Sequence, residues 1–317
     1  MVKLISPIDG ETVSLTTQYQ KDFLKADRSG GEGEDIDWLH LEFHHTADES
    51  LPLPVVFRWE GEREAVLEIS RTPDFSRPLT YRACGSAEVY NLMADTQYFW
   101  RVEDSPIFTF ITAKEFPCRK YIEGTTNVRD CADADGKIRQ GLLFRGAELN
   151  SHVNATQKGL ESLEKELRIK TVLDIRGQNE ELLNPYGKRY INIPVAAYGD
   201  FIYDRKSCRQ IFSVLAHRDN YPIYFHCWGG ADRTGTIAFL VGALMGVSEQ
   251  YLVDDYEMTS LSVWGIRSRN TELFKSLVSA LFDYSGSSLR IKVTNYLLDC
   301  GVTAEELESI KNILSGR

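Results

Sequence analysis

Residues 222–246 constrain the fold most, because a short apolar run, a glycine-containing loop and a long apolar run follow one another there. Residues 222–225 read as a short buried strand. Residues 234–245 read as a strongly apolar helix, and Gly246 is placed to end it. Glycines in a strand-loop-helix unit let successive backbone N–H groups turn inward, where they and the helix N-terminus form an anion cradle. The stretch therefore predicts a phosphate-sized anion site within an α/β unit.

The loop itself carries reactive side chains. Cys227 lies at the base of the cradle, where the dipoles that bind an anion also stabilise a thiolate, so we predict that it is a nucleophile. Arg233 can bind two phosphate oxygens with its planar guanidinium, and Thr234 can offer its hydroxyl to the Cys227 sulfur as the thiolate leaves. A buried cysteine beside a tight glycine turn would not require the arginine, the threonine or the flanking strand and helix. The predicted phosphate-binding residues are Trp228, Gly229, Gly230, Ala231, Asp232 and Arg233, with His226 and Thr234 in supporting roles.

The loop sequence HCWGGADRTG resembles the signature loop of the protein-tyrosine-phosphatase superfamily. It is most similar to a bacterial branch that includes tyrosine and phosphoinositide phosphatases. Three further segments resemble boxes of that branch, in the same order, over residues ~117–315. They are residues 127–130 (NVRD), residues 143–149 (LFRGAEL), and residues 172–176 (VLDIR) followed by Glu180. The resemblance implies an α/β domain with a mainly parallel sheet. It also implies phosphomonoester hydrolysis through a phosphocysteine intermediate, with neither a metal nor another cofactor.

A leaving phenolate or alkoxide needs a proton from a positioned acid. The resemblance assigns this role to the aspartate before the loop arginine, which is Asp232 here. The alternative is Asp200, which follows a predicted strand where many superfamily members carry a separate acid loop. Asp200 is also explained as a solvated turn residue.

The substrate stays open between two phosphorylated classes. Ala231 stands where the resembling branch usually has a lysine, and the missing charge weakens a phosphoinositide or inositol-phosphate substrate. Trp228 offers a surface for a phenyl ring, which favours phosphotyrosine in proteins. Other cations, such as Arg176, Lys188 or Arg267, could restore the missing charge. A hypothesis of another class is an inactive phosphate-binding adaptor, against which the intact Cys227, Asp232 and Arg233 argue.

Three arginines of the matching boxes have an alternative structural explanation. Arg129, Arg145 and Arg176 read equally well as buried partners of nearby acids. The expected pairs are Arg129 with Asp130, Arg145 with Glu148, and Arg176 with Asp174.

Residues 1–113 show period-two patterns between Pro, Gly and Asp, which predict short antiparallel strands in an all-β sandwich. Leu92 followed by Tyr98 resembles the tyrosine corner of fibronectin type III and immunoglobulin-like modules. Residues 21–50 read as a long loop, whose His40, His44 and His45 are more simply surface residues than metal ligands. Residues 113–117 read as a linker to a catalytic domain spanning 114–317. The β module would recruit a protein partner or shape the rim of the cleft, and its deletion is expected to leave activity on small aryl phosphates nearly intact.

Composition excludes some classes of function. A chain of 317 residues suggests two domains, and a formal net charge of −10 argues against nucleic-acid binding. No apolar run is long enough for a transmembrane helix, and the first residues do not read as a signal peptide. A cytoplasmic location is the default expectation, with export conceivable if a leader has been removed. The six cysteines show neither zinc-site nor disulfide spacing, so all except Cys227 are expected to be buried, inert thiols.

Overall fold

The structure is a computed structural model that describes residues 2–29, 48–177 and 187–316. The N-terminal part is built from short strands, as its alternating pattern predicts, and one helix. The strands are β1 (Leu4–Ser6), β2 (Glu11–Val13), β3 (Val55–Trp59), β4 (Glu64–Ser70), β5 (Leu79–Cys84), β6 (Ser86–Val89), β7 (Gln97–Val102) and β8 (Phe108–Thr112), and the helix is α1 (Gln18–Lys25).

These strands form two sheets. One has the order β1-β3-β6 and the other the order β2-β8-β7-β4-β5. Paired strands are antiparallel as predicted except at one edge, where β2 runs parallel to β8. Phe57 from the first sheet and Trp100 from the second meet edge to face, with ring centroids 5.1 Å apart, inside one buried apolar cluster. The Tyr98 hydroxyl accepts a hydrogen bond from the Met93 N–H at 2.8 Å, which is the tie expected of a tyrosine corner. The fibronectin type III-like identity of this part remains a prediction.

Helix α1 is a difference from the all-β expectation, which treated residues from 21 onward as a loop. Thr17 caps the helix, because its side chain accepts a hydrogen bond from the Gln20 N–H. Phe23 is completely buried and clusters with Met258 and Leu261 from the C-terminal part. The helix forms because a distant segment covers its apolar face, and that partner cannot be read from the local sequence.

The C-terminal part contains one five-stranded sheet of order β12-β11-β13-β10-β9. Neighbouring strands are parallel except β9, which runs antiparallel to β10. The expectation of a mainly parallel sheet flanked by helices is therefore confirmed. The strands are β9 (Arg129–Asp130), β10 (Leu143–Gly146), β11 (Thr171–Asp174), β12 (Arg189–Asn192) and β13 (Ile223–His226).

Helices cover this sheet and extend to the end of the described chain. After its polar first turn, helix α5 is apolar from Ile237 to Met245, and it ends at Gly246, which adopts a left-handed conformation, as predicted. A threonine three residues before a glutamate, as in Thr303 and Glu306, predicts a capping box, and these two residues form it at the start of the last helix. The helices are α2 (Gln157–Lys165), α3 (Tyr198–Tyr203), α4 (Arg205–Leu215), α5 (Asp232–Met245), α6 (Glu249–Glu257), α7 (Glu272–Phe282), α8 (Leu289–Asp299) and α9 (Ala304–Ser315), with a short 3₁₀ turn at Met258–Leu261.

One cysteine departs from the expectation of buried thiols. Cys84 lies at the end of β5 and is exposed, whereas Cys118, Cys208 and Cys300 are buried and Cys131 is half-buried. No helix in the described ranges combines the length and apolar character needed to cross a bilayer.

Candidate active site

The loop between β13 and α5 follows the strand-loop-helix prediction. Strand β13 is buried along its whole length between β10 and β11, so it fixes where the loop begins. Gly230 has a φ of +64°, and a Cβ added there would lie 2.2 Å from the backbone carbon of Gly146. Only glycine fits this position, since both the left-handed backbone and the close approach to the end of β10 exclude a side chain.

The loop carbonyls from Cys227 to Ala231 all accept hydrogen bonds. Because the C=O and N–H groups of a peptide point in opposite directions, fixing the carbonyls on one side turns the amide groups to the other. We call the side contacted by Asn127, Arg145 and Glu148 the rear face of the loop. The bonds are His226 Nδ1 to Cys227 O (3.0 Å), Glu148 N to Trp228 O (2.8 Å), Asn127 Nδ2 to Gly229 O (2.9 Å), Arg145 Nη2 to Gly230 O (2.8 Å) and Gly235 N to Ala231 O (2.7 Å).

The amide groups of the loop behave differently. Within the described ranges, the N–H groups of residues 229–234 meet no acceptor. These donors include the first turn of α5, where a helix N-terminus carries partial positive charge. The loop thus presents backbone N–H donors, while its carbonyl acceptors are already hydrogen-bonded. This arrangement can bind an anion.

Cys227 lies at the start of this loop and is 4% exposed. Thr234 is fully buried in the first turn of α5, and its hydroxyl has no hydrogen-bond partner among the described residues. A buried hydroxyl without a partner is costly, so its retention here fits a partner that appears only during turnover. The predicted bond from Thr234 to the Cys227 sulfur is not formed in this structure.

Arg233 and Trp228 form the opposite side, which we call the front face. The Arg233 guanidinium carbon lies 4.8 Å from the centroid of the Trp228 ring. Trp228 is 43% exposed, and the His152 ring lies 5.5 Å from it. No carboxylate of the described chain lies within ion-pair distance of Arg233. Its fork therefore faces an aromatic ring and is available to an anion.

His226 is buried immediately before Cys227. Its Nδ1 lies 3.0 Å from the Cys227 carbonyl oxygen and its Nε2 lies 4.0 Å from an Asp174 carboxylate oxygen. Burial lowers the pKa of His226 below its ordinary value, although the Asp174 charge opposes this. A neutral ring that donates from Nδ1 holds the first loop carbonyl in place.

Asp232 is held by two neighbours that were not predicted. Arg267 donates to both carboxylate oxygens, at 2.5 Å through Nε and 3.0 Å through Nη2, and the Tyr198 hydroxyl also donates to Oδ1. The Asp232 side chain remains 36% exposed. Asp200 is exposed on α3, the helix whose first residue is Tyr198. The structure thus places Tyr198, the first residue of α3, against the loop, where its hydroxyl contacts Asp232.

Two of the three expected arginine pairs are wrong. Arg129 and Arg145 both pair with Asp255 on α6, because α6 packs behind the loop and brings its carboxylate between them. Burial raises the pKa of Asp255, but Arg129 and Arg145 together hold it below its usual range. Of the expected acids, Asp130 instead accepts from the Ala132 and Gly141 N–H groups.

The third expected arginine pair is confirmed. Arg176 binds Asp174, with Nη2 to Oδ2 at 2.6 Å, and it also binds the buried Glu148 at 2.8 Å. The charge of Arg176 is therefore neutralised by carboxylates inside the protein.

The metal ligands considered from the sequence are three histidines of the predicted N-terminal loop. Among the described residues, no group of three or more His, Cys, Asp or Glu side chains could hold a metal ion. His40, His44 and His45 lie outside the described residues, and so does Glu180 of the third matching box.

Fold and site together define a phosphatase that hydrolyses phosphomonoesters with a cysteine. Residues 120–316 match the Tyrosine phosphatase family, and the chain belongs to that family. It is therefore a phosphoric monoester hydrolase.

Individual relatives are distant. The triple specificity protein phosphatase PtpB of Mycobacterium tuberculosis is 22% identical, over 49% of this chain and 74% of that protein. The core catalytic domain of the PP-IP phosphatase SIW14 from S. cerevisiae is 16% identical, with a TM-score of 0.34, over 44% of this chain and 84% of that one. TpbA of P. aeruginosa is 19% identical, with a TM-score of 0.33, over 52% of this chain and 94% of that one.

Several residues at the site escaped the sequence reasoning. Asn127 and Arg145 lie in the recognised boxes, but their bonds to the loop carbonyls were not foreseen. Asp255 and Trp264 lie in a stretch without any recognised motif. Arg267 lies there too; the sequence suggested it as a cation near Ala231 but not as the partner of Asp232. The one available signal was a charged pair, Asp254 and Asp255, within an amphipathic helix, and such pairs are ordinarily solvent-exposed.

Proposed function

We propose that the chain dephosphorylates phosphotyrosine in proteins, with Cys227 as the nucleophile and Arg233 as the phosphate clamp. The observation that carries this proposal is the loop whose carbonyls from Cys227 to Ala231 are all hydrogen-bonded, while the N–H groups of residues 229–234 meet no acceptor within the described ranges. A phosphate bound there would receive N–H donors around its equatorial oxygens. These donors need no reorganisation as charge shifts during transfer.

In the proposed reaction, the Cys227 thiolate attacks phosphorus and forms an S–P bond while the bond to the leaving oxygen breaks. That oxygen takes a proton from an acid. Water then attacks the phosphocysteine and gives a proton to the conjugate base of that acid, the S–P bond breaks, and inorganic phosphate leaves with the thiolate and the acid restored. Thr234, with its unpartnered buried hydroxyl, is placed in sequence to donate to the departing sulfur.

Asp232 remains our proposed acid. Its carboxylate is partly exposed in the first turn of α5, next to Arg233. Both of its oxygens are engaged by Arg267 or Tyr198, so these contacts must open before Asp232 can hand a proton to a leaving group. Asp200 has the exposure for the role but lies on α3.

The two acids are separated by comparing Asp232→Asn with Asp200→Asn on aryl phosphates of graded leaving-group pKa. We expect Asp232→Asn to lower kcat more for the poorer leaving group and to remove the basic limb of the pH–rate profile. Full activity of Asp232→Asn on the poorest leaving group would transfer the role to Asp200.

The preference for phosphotyrosine rests on charge and shape near the loop. Trp228 offers an exposed aromatic face at the position after Cys227. The three cations considered as replacements for a lysine at Ala231 are engaged: Arg176 with Asp174 and Glu148, Arg267 with Asp232, and Lys188 with Glu164 at 3.7 Å. A multiply phosphorylated headgroup would find little uncompensated positive charge there, so phosphoinositides and inositol phosphates are the alternative.

The decisive experiment compares turnover of phosphotyrosine peptides, phosphoserine peptides and phosphoinositides by the reduced protein, with Cys227→Ser as the matched control. We expect hydrolysis of phosphotyrosine peptides above the others and none by Cys227→Ser. Faster hydrolysis of phosphoinositides would overturn the substrate assignment. Phosphate binding without turnover of any substrate would instead indicate an adaptor.

The domain division is also our proposal. Residues 1–113 would form a fibronectin type III-like sandwich and residues 114–317 the catalytic domain. The apolar cluster of the N-terminal sheets and the main cluster around β13 share no residue, which supports two cores.

A further inference from the structure

A segment of the N-terminal part reaches the rear face of the catalytic loop. Ser50 is 1% exposed, and its hydroxyl oxygen accepts a hydrogen bond from the Asn127 N–H at 3.1 Å. The Asn127 side chain in turn donates to the Gly229 carbonyl at 2.9 Å. One residue therefore separates Ser50 from the anion-binding loop.

The geometry around Ser50 fixes the direction of its hydroxyl. Ser50 donates to an Asp48 carboxylate oxygen at 2.5 Å, which leaves its lone pairs for Asn127. Asn127 has a φ of +58°, a left-handed conformation that asparagine tolerates but does not prefer. Because Ser50 satisfies the buried N–H of this residue, it stabilises the orientation from which the Asn127 amide reaches the loop.

Arg28 makes a second, independent connection. It is 3% exposed and donates to Glu257 at 3.0 Å, and it also pairs with Asp254. Both acids lie on α6, the helix whose Asp255 binds Arg129 and Arg145 behind the loop. Arg28 therefore anchors the helix that supplies the rear-face carboxylate.

The chain after α6 leads back to the loop. Phe23 of α1 packs on Met258 and Leu261 of the 3₁₀ turn that follows α6. Beyond this turn, Trp264 packs so closely on Gly229 that an added Cβ would lie 2.6 Å from its ring, and Arg267 binds Asp232. Phe23 of the N-terminal segment thus contacts the beginning of residues 258–267. The end of the same stretch contacts the catalytic loop through Trp264 and Arg267.

We propose, building on the function proposed above, that residues 17–29 and 48–51 position the catalytic loop. Ser50 acts through Asn127, and Arg28 acts through the carboxylates of α6. Both are positioning residues, since neither touches the substrate. This replaces the expectation that residues 1–113 can be removed with little effect on small aryl phosphates.

The test uses point variants of the full chain: Ser50→Ala, Arg28→Ala and, as the matched control, Arg82→Ala. Arg82 pairs with Glu64 at 3.5 Å on an exposed face of the N-terminal sheets, with its side chain 72% exposed. We expect kcat on para-nitrophenyl phosphate to fall about tenfold in Ser50→Ala and in Arg28→Ala, because small displacements of catalytic groups have large rate effects. Arg82→Ala should match the unchanged protein.

Two readouts separate positioning from loss of folding. Rates are referred to folded protein by circular dichroism, and the affinity for inorganic vanadate is measured in each variant. We expect the affinity for vanadate to weaken together with kcat. A variant that is less stable but keeps the geometry of the loop would bind vanadate as tightly as the unchanged protein. Ser50→Thr, which keeps the hydroxyl, should recover most of the kcat lost in Ser50→Ala.

Wild-type kcat and vanadate affinity in folded Ser50→Ala and Arg28→Ala would overturn the proposal. So would equal losses in Ser50→Ala and Ser50→Thr. These outcomes are distinct from failure of the proposed function, which would appear as activity retained by Cys227→Ser.

Discussion

The rear and front faces of the loop use the same residue type in opposite ways. On the rear face, Arg145 is almost fully buried and its fork is divided between Asp255 and the carbonyls of Gly230 and Ala231. On the front face, Arg233 is partly exposed and its guanidinium stacks over Trp228 without a described acid partner. The guanidinium of Arg145 is bound by protein groups, whereas the guanidinium of Arg233 is available to a ligand.

This difference shows how the fold separates stability from binding. Buried charge requires partners, so the rear face is a network of arginines, Asp255 and loop carbonyls, in which the Arg145 Nε alone of that guanidinium meets no acceptor among the described residues. The front face carries the Arg233 guanidinium, which pairs with no carboxylate of the described chain and can stabilise an incoming anion. Changes on the rear should therefore alter stability and rate together, whereas changes on the front should alter rate or affinity alone.

The largest effect is expected on the front face, from Arg233→Lys. A lysine keeps the charge but not the planar fork, so the transferring phosphoryl group loses one bidentate contact. We expect kcat on para-nitrophenyl phosphate to fall about 10²–10³-fold, as for loss of one transition-state donor. The melting temperature should change little. A large drop in melting temperature would show that Arg233 also belongs to the structural network.

The next effect is expected on the rear face, from Asp255→Asn. The change leaves Arg129 and Arg145 without their carboxylate, and breaking a buried pair costs about 3–5 kcal/mol. Urea unfolding should show this loss, and kcat of the folded fraction should fall roughly tenfold, since Arg145 holds a loop carbonyl. Asp283→Asn, at the exposed end of α7, is the control. Unchanged stability in Asp255→Asn would contradict the rear-face network.

A smaller and more selective effect is expected from Trp228→Leu. An aromatic pair contributes roughly 0.5–1.5 kcal/mol beyond area burial, so KM for a phosphotyrosine peptide should rise by about threefold to tenfold. The KM for an alkyl phosphate should stay nearly constant, because that substrate has no ring to stack. An equal rise in both KM values would place Trp228 in support of Arg233 and not in recognition of the phenyl ring.

The smallest effect on rate is expected from Asp130→Asn on β9, because its carboxylate binds the Ala132 and Gly141 N–H groups and belongs to neither face of the loop. Burial raises the pKa of Asp130 to about 6 in the folded protein, above its ordinary value of 3.8. The folded state thus binds this proton more tightly than the unfolded state. The resulting stability is present below about pH 4 and is lost as the pH rises through about 6.

Unfolding free energies measured between pH 4 and 7 check this directly. Relative to Asp130→Asn, the unchanged protein should lose on the order of 2 kcal/mol across that range. The value of kcat at pH 7 should be nearly the same in both proteins. Parallel pH profiles would mean that the Ala132 and Gly141 N–H groups hold Asp130 ionised throughout.

Sequence reasoning succeeded where function depends on local pattern. The strand, loop and helix around Cys227, the end of α5 at Gly246 and the Thr303 capping box are each specified by neighbouring residues. It failed where a side chain takes its partner from far along the chain. Arg129 and Arg145 have acids beside them in sequence, yet tertiary packing gives both of them Asp255. Likewise, nothing near Phe23 indicates that Met258 will cover it.

The close approach of Gly230 to Gly146 also bears on how such a loop can diverge in evolution. A side chain at residue 230 would collide with the backbone of Gly146, so Gly230 cannot be substituted unless the neighbouring strand moves as well. Trp228, with 43% of its surface exposed, has no such restriction. Substrate preference can therefore change by substitutions at residue 228, while the anion-binding backbone is inherited intact.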